Sequence, residues 1–69
     1  MTQRERILNY MDENGSITAF EAVLYLGVLQ LSARIVELEK MGFRFTKTPE
    51  KSKNRYGDPV NYIRYGRAS

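Results

Sequence analysis

The stretch TAFEAVLYLGVLQLSARIVELEKMG, Thr18 to Gly42, limits the possible folds more than any other part of the chain. Leu31, Ile35 and Leu38 recur at i, i+4 and i+7, which at 100° per residue places them in one narrow sector of a helix. Gly42 closes that helix, and Lys40 near its end favours the negative pole. Thr18 and Glu21 stand three apart as a capping box, so an earlier helix is predicted over about Ala19 to Leu26. Between the two, Gly27-Val28 makes a tight turn with Val28 tucked inward, and the second helix runs from about Leu29 to Met41. Ala22, Val23 and Leu26 share the inner face of the first of these helices. Phe20 and Leu24 widen its apolar surface, so it is expected to be buried on more than one side or to touch a partner.

The flanking segments complete the order. A helix is predicted over Thr2 to Asn14, opened by a second capping box (Thr2, Glu5), packed through Ile7, Leu8, Tyr10 and Met11, and stopped at Asn14-Gly15. Ser16-Ile17-Thr18 is short and β-leaning. Phe43 to Thr48 alternates apolar and polar, and Val60 to Tyr65 is a second β-rich run. Between them, Pro49 is expected to end the first strand's ladder, and Gly57 is expected to supply the turn of Tyr56-Gly57-Asp58-Pro59. Part of Ser52 to Arg55 is then extended, with a bulge or break near Pro49. Val60/Tyr62 and Ile63/Tyr65 are alternative inward sets, and the tail Gly66 to Ser69 is expected to fray. The order is α, β, α, α, β, β in one domain, residues 1–69, near the lower size limit for a chain that folds alone.

With no cysteine and no histidine, the chain has neither a disulfide nor a thiolate or imidazole metal site to supplement its core, and no cofactor is expected. No apolar run reaches the roughly 18 residues of a membrane span, and the start MTQRERILNY lacks the apolar core of a secretory signal, so the expected location is cytoplasmic. Enzymatic constellations are lacking. Glu37 and Glu39 diverge on their helix, no glycine-rich phosphate loop follows a strand, and no nucleophile stands beside a base.

The opening RERILNYMDENGSITAFEA, the LGV turn, the LSARIVELEKMG helix and the KNRYGDPVNYIRY hairpin together resemble the small winged helix-turn-helix proteins of phages and other mobile elements. That resemblance implies an α+β fold, a winged helix-turn-helix with three helices followed by a C-terminal β-hairpin wing. It also implies duplex DNA as partner and a role as operator repressor or excisionase-like accessory factor. In one respect the chain departs from common winged-helix regulators. Only Leu29 and Gln30 separate Val28 from the core position Leu31, about two residues fewer than usual, and no hydroxyl residue starts the third helix.

Two surfaces are candidates for DNA. On the third helix, Gln30 suits adenine, Ala33 a thymine methyl, and Arg34 phosphate or guanine. On the hairpin, Lys47, Lys51, Lys53, Arg55 and Arg64 are concentrated, with Lys51, Lys53 and Arg55 expected on phosphates and Asn54 adding hydrogen-bonding groups. Thr18, at the start of the second helix, is placed to donate to a phosphate. The net charge of +3 fits such a binder. A homodimer would add the specificity that so small a domain lacks. The alternative is an inhibitor or antirepressor that contacts a host or phage protein through the outer strip of the third helix, Leu29, Ala33, Val36, Glu37 and Lys40.

Overall fold

The computed structural model describes residues 1–68. In chain order the elements are α1 (Gln3–Asn14), β1 (Ser16–Thr18), α2 (Ala19–Glu21, continuing as a π-helical turn over Ala22–Leu26), α3 (Leu31–Lys40), β2 (Phe45–Lys53) and β3 (Pro59–Arg67). The strands form one antiparallel sheet in the order β1-β3-β2. The helices cover the face that carries Ile17, Phe45 and Tyr65. Ile7, Met11, Ile17, Ala22, Val28, Leu31, Ile35 and Leu38 are buried there, with Leu8, Tyr10, Leu26, Phe43, Phe45 and Tyr65 packed around them. All three members of the predicted α3 stripe are in this core, and so is Val28.

Both capping boxes are formed. The Glu5 and Glu21 amides donate to the hydroxyls of Thr2 and Thr18 at 3.2 Å each, and the Thr2 and Thr18 amides donate to Oε1 of Glu5 and Glu21 at 3.1 Å. Each box thus satisfies two N–H groups that a bare helix start would leave without a partner, and the entry of the chain is fixed. At the end of α3 the Phe43 amide donates to Leu38 O at 3.1 Å and the Gly42 amide to Glu39 O at 3.0 Å. This is a Schellman closure, with Phe43 folded back on the core.

The end of α2 departs from the regular helix expected. The Val28 amide donates to Ala22 O at 3.0 Å, six residues back, and Gly27 takes φ +68. A left-handed residue is needed to reverse the chain so soon, and glycine adopts that conformation without a Cβ clash. The wider turn changes which side chains point inward. Ala22 is buried and Leu26 half-buried, whereas Val23, expected inside, is exposed together with Phe20, Leu24 and Tyr25. Across the break that follows, α2 and α3 diverge by 99°. The backbone at Gln30 is neither helical nor extended (φ −126, ψ 71), so α3 begins at Leu31, two residues later than predicted.

The hairpin also differs from expectation. The ladder runs unbroken from Phe45↔Arg67 to Lys53↔Pro59, with Pro49 opposite Ile63. Pro49 does not end it because β2 is an edge strand, where alternate N–H groups face away from the partner and a missing donor costs nothing. The inward set on β3 contains Tyr65, while Ile63 and Val60 are exposed. The tail does not fray at Gly66 or Arg67. Gly66 pairs with both Ser16 and Thr46, Arg67 pairs with Phe45, and the Ala68 amide donates to Arg44 O at 2.9 Å. Arg67 also reaches Asp12 at 3.1 Å and lies over the Phe43 ring. Ser69 lies outside the described residues.

Gly66 is paired on both sides, with Ser16 of β1 and Thr46 of β2. A Cβ there would lie 2.8 Å from Thr46 Oγ1 and 3.5 Å from Gly15 O. Gly66→Ala is therefore expected to destabilise the domain by about 1–3 kcal/mol, the usual range for overpacking. A second change, Thr46→Ala, removes the clashing atom and should recover most of the loss. Urea unfolding of the two variants and the parent measures both effects.

Candidate nucleic-acid interface

The hairpin is longer than the strand that covers it. β1 meets β3 only at Arg64, Tyr65 and Gly66, so the hairpin projects past β1 by the five residues Pro59–Ile63, about 16 Å at the usual strand rise. At its end, Asn54 organises the loop. Its Oδ1 accepts from the amides of Tyr56 (2.9 Å) and Asp58 (3.1 Å), its own amide donates to Asp58 O, and its carbonyl accepts from Gly57. The side-chain oxygen expected to meet DNA thus holds the tip together.

The six cations of the hairpin fall into two groups, and Arg67, paired with Asp12, belongs to the neutralised one. Lys47 is paired with Glu39 of α3 at 3.3 Å. Arg64 donates from Nε to Glu50 at 2.9 Å and from Nη1 to Ser16 Oγ at 3.1 Å, with Glu21 at 3.5 Å. Lys51, Lys53 and Arg55 are exposed and, among the described residues, make no ion pair. Within the hairpin, the free charge is thus at the projecting end and the charge beside the helices is neutralised.

On α3 the predicted residues also separate. Leu29, Gln30, Ser32 and Ala33 line a cleft of about 470 Å³ whose other wall is Asn61 and Ile63 of β3. Lys51, which pairs with Asn61 in the ladder, stands on the same face of the sheet. Gln30 and Ala33 are therefore brought beside the hairpin. Arg34 is not, because it leans toward α1, where its Nη2 meets Glu37 at 3.1 Å and its Nε is buried with no hydrogen-bond partner. Arg4 approaches the same carboxylate at 3.7 Å. Thr18 is only 4% exposed, and its hydroxyl caps α2, which removes it from the expected phosphate contact. Of the outer strip, Leu29, Val36 and Lys40 are exposed, Ala33 is half-buried, and Glu37 is turned to the arginines. Ser32 and Asn61 were not among the predicted contacts. Asn61 becomes apparent only once the ladder is known to continue through Pro49, since that register sets which hairpin residues share the α3 side.

A family model described as winged helix-turn-helix domain matches residues 2–67. The chain belongs to this family. Neither a curated protein nor a solved structure shows a significant match. Winged helix-turn-helix domains are typically DNA-binding modules rather than catalysts, and their shared elements are those seen here: α2, turn, α3 and the hairpin wing. Among the described residues there is no group of three or more metal-ligating side chains, and no single helix is long and apolar enough to cross a membrane.

The ion pairs that set the wing's position also make it sensitive to acid. The Arg64 guanidinium, hydrogen-bonded to Glu50, holds that carboxyl below the usual range, and burial offsets only part of the effect. Glu5 is held low in the same way, chiefly by the Thr2 amide. A carboxyl whose folded pKa is depressed contributes stability that is complete above its unfolded value of about 4.3 and is lost as pH falls through the folded value. The winged domain should therefore lose melting temperature below about pH 4. Glu50→Gln should start lower and show a shallower acid limb, as read from thermal melts across that range.

Proposed function

We propose that this domain binds duplex DNA in a sequence-dependent manner, as a small phage-type transcriptional regulator or excisionase-like accessory factor. The start of α3 enters the major groove and the basic wing lies along the backbone. The observation that carries this reading is the concave surface shared by the first turn of α3 and the projecting hairpin, with the unpaired cations Lys51, Lys53 and Arg55 at its outer end. Gln30 makes no side-chain cap bond, so its amide is available for an adenine edge, and Ala33 beside it offers a surface for a thymine methyl. The same missing cap leaves the first N–H groups of α3 open to a phosphate oxygen, in contrast to the capped starts of α1 and α2. Arg34 would contribute only after leaving Glu37. An 8.0-kDa domain contacts few base pairs, so useful specificity calls for a dimer or for copies on adjacent sites.

Fluorescence anisotropy with mixed-sequence duplex over a salt series tests this. Micromolar binding is expected to weaken steeply with salt. Replacing Lys51, Lys53 and Arg55 together by Ala should make the log–log slope shallower by about three units, close to one per phosphate contact. Absence of binding at low salt overturns the reading.

A second reading is an inhibitor or antirepressor that holds a host or phage protein against the outer strip of α3. It is favoured by the 80% exposure of Leu29 and the 47% exposure of Val36. Here Val36→Glu should abolish capture of the partner and leave the melting curve unchanged.

A further inference from the structure

We propose that the uncovered edge of β3, together with the clefts on its two sides, is a docking site for an extended acidic segment of a partner protein. β2 pairs with β3 along its whole length, from Pro59 to Arg67, but β1 covers only Arg64 to Gly66 on the other side. Along Pro59–Ile63 the β1-side N–H and C=O groups therefore have no ladder partner among the described residues, and an open edge of this kind is a template for an added strand. The two open edges of the sheet differ in character. The outer edge of β2 carries Pro49 and the lysines Lys47, Lys51 and Lys53, the usual means of discouraging strand addition. The open part of β3 reads Pro59-Val60-Asn61-Tyr62-Ile63, without a charge.

A cleft lies on each side of this edge. The larger, about 740 Å³, is lined by Phe20, Val60 and Tyr62, with Lys53 and Arg55 at the hairpin end. The smaller, about 470 Å³, is lined by Leu29, Ala33 and Ile63. Phe20 is 74% exposed and Leu29 80%, so a large apolar side chain stands open at each cleft. A strand of four or five residues added beside β3 would send alternate side chains into the two clefts, while its backbone satisfied the edge.

The charges select the occupant. Within the larger cleft the carboxylate of Glu21 is held by Arg64, whereas Lys53 and Arg55 have no ion pair among the described residues, so the hairpin end of the cleft is positive. A second copy of this chain fits poorly. It carries net charge +3, and of its described carboxylates only Glu5, Glu13 and Asp58 lie outside ion pairs. An acidic segment with apolar anchors meets both the charge and the clefts. Once bound, it would cover Gln30 and Ala33, so the segment and a DNA duplex would exclude each other.

The test uses the whole chain without DNA, so that its failure and the failure of the DNA reading are separate results. The probe is a fluorescein-labelled peptide of four alternating valines and phenylalanines followed by two aspartates. Its controls are the same peptide with a central proline and the same peptide ending in lysines. Binding in the tens of micromolar is expected, about tenfold weaker for the proline peptide, which cannot complete the ladder, and weaker still for the lysine peptide. Amide shifts in a nitrogen-15 spectrum should concentrate at Val60–Ile63, Phe20 and Leu29. Phe20→Ser, a change at an exposed position, should weaken binding severalfold with an unchanged melt. Equal binding of the proline peptide, or shifts located elsewhere, overturns the proposal. It is also overturned if the same amides shift on self-association alone, which assigns the edge to a second copy, or shift more strongly with oligothymidine, which assigns it to single-stranded nucleic acid.

Discussion

The structure depends on β3 being paired on both sides over three residues and on one side beyond them. At Arg64, Tyr65 and Gly66 the strand is held between β1 and β2, and the face of Tyr65 lies on the helices. In this short three-stranded patch β1 and the hairpin are locked in one register against the helical core. Gly66 permits the close approach, and Arg64 on the opposite face ties Glu50 of β2, Ser16 of β1 and Glu21 of α2 to one guanidinium. Those contacts are partly exposed and contribute modest energy. Their value is directional, because a planar donor with three partners fixes where β2 and α2 stand relative to each other.

From that patch the remaining geometry follows. Because β1 is only three residues long, the hairpin extends beyond it unsupported. Because α2 ends in a wide turn at Gly27, α3 leaves at 99° and its first turn comes to rest beside the projecting strand. The missing residues between Val28 and Leu31 do not leave α3 out of reach of the hairpin. The π-helical turn and the non-helical Gln30 absorb the shortening, and Val23, Leu24 and Tyr25 are left exposed to solvent. Tyr25 then stacks on Tyr10 of α1, which shelters one of the rings that the wide turn exposes.

What could be read in advance was set by short-range rules. Capping boxes depend on residues three apart, the α3 stripe on a seven-residue span, and chain reversal on a glycine, and all of these were legible. The errors have a common origin in contacts between residues far apart in sequence. Pro49 interrupts a ladder or sits harmlessly in it according to whether its strand is an edge, which is a property of the sheet. Gly66 and Arg67 look like a loose end until β1 and β2 are known to flank them. The candidate site shows the opposite effect. Thr18, Asn54 and Arg34 suit DNA by residue type, but a nearby backbone amide or carboxylate engages each one, and only for Thr18 does the spacing to Glu21 announce it. In a domain this small, a hydroxyl or amide at an element boundary is more often recruited to close that boundary than left for a ligand.

The cations that remain free are therefore more informative than the cations counted. Lys47 and Arg64 are neutralised where the hairpin meets the helices, and Lys51, Lys53 and Arg55 are left bare where it does not. Arg6, Lys40 and Arg44 elsewhere are also without an ion pair among the described residues, but along the hairpin a charge pattern serving only solubility has no reason to follow the distance from the helices in this way. A surface that must hold its own scaffold rigid and still attract an anion does, because pairing near the patch orients the hairpin and unpaired charge at its end does the attracting. The apolar clefts begin where that charge ends, with Phe20 on one side of β3 and Leu29 on the other. A duplex uses the bare cations and the cleft beside α3, whereas an acidic, apolar strand uses the cations and both clefts. The two proposed occupants, a duplex and a protein segment, thus compete for one projecting edge, and relative concentration and affinity decide between them.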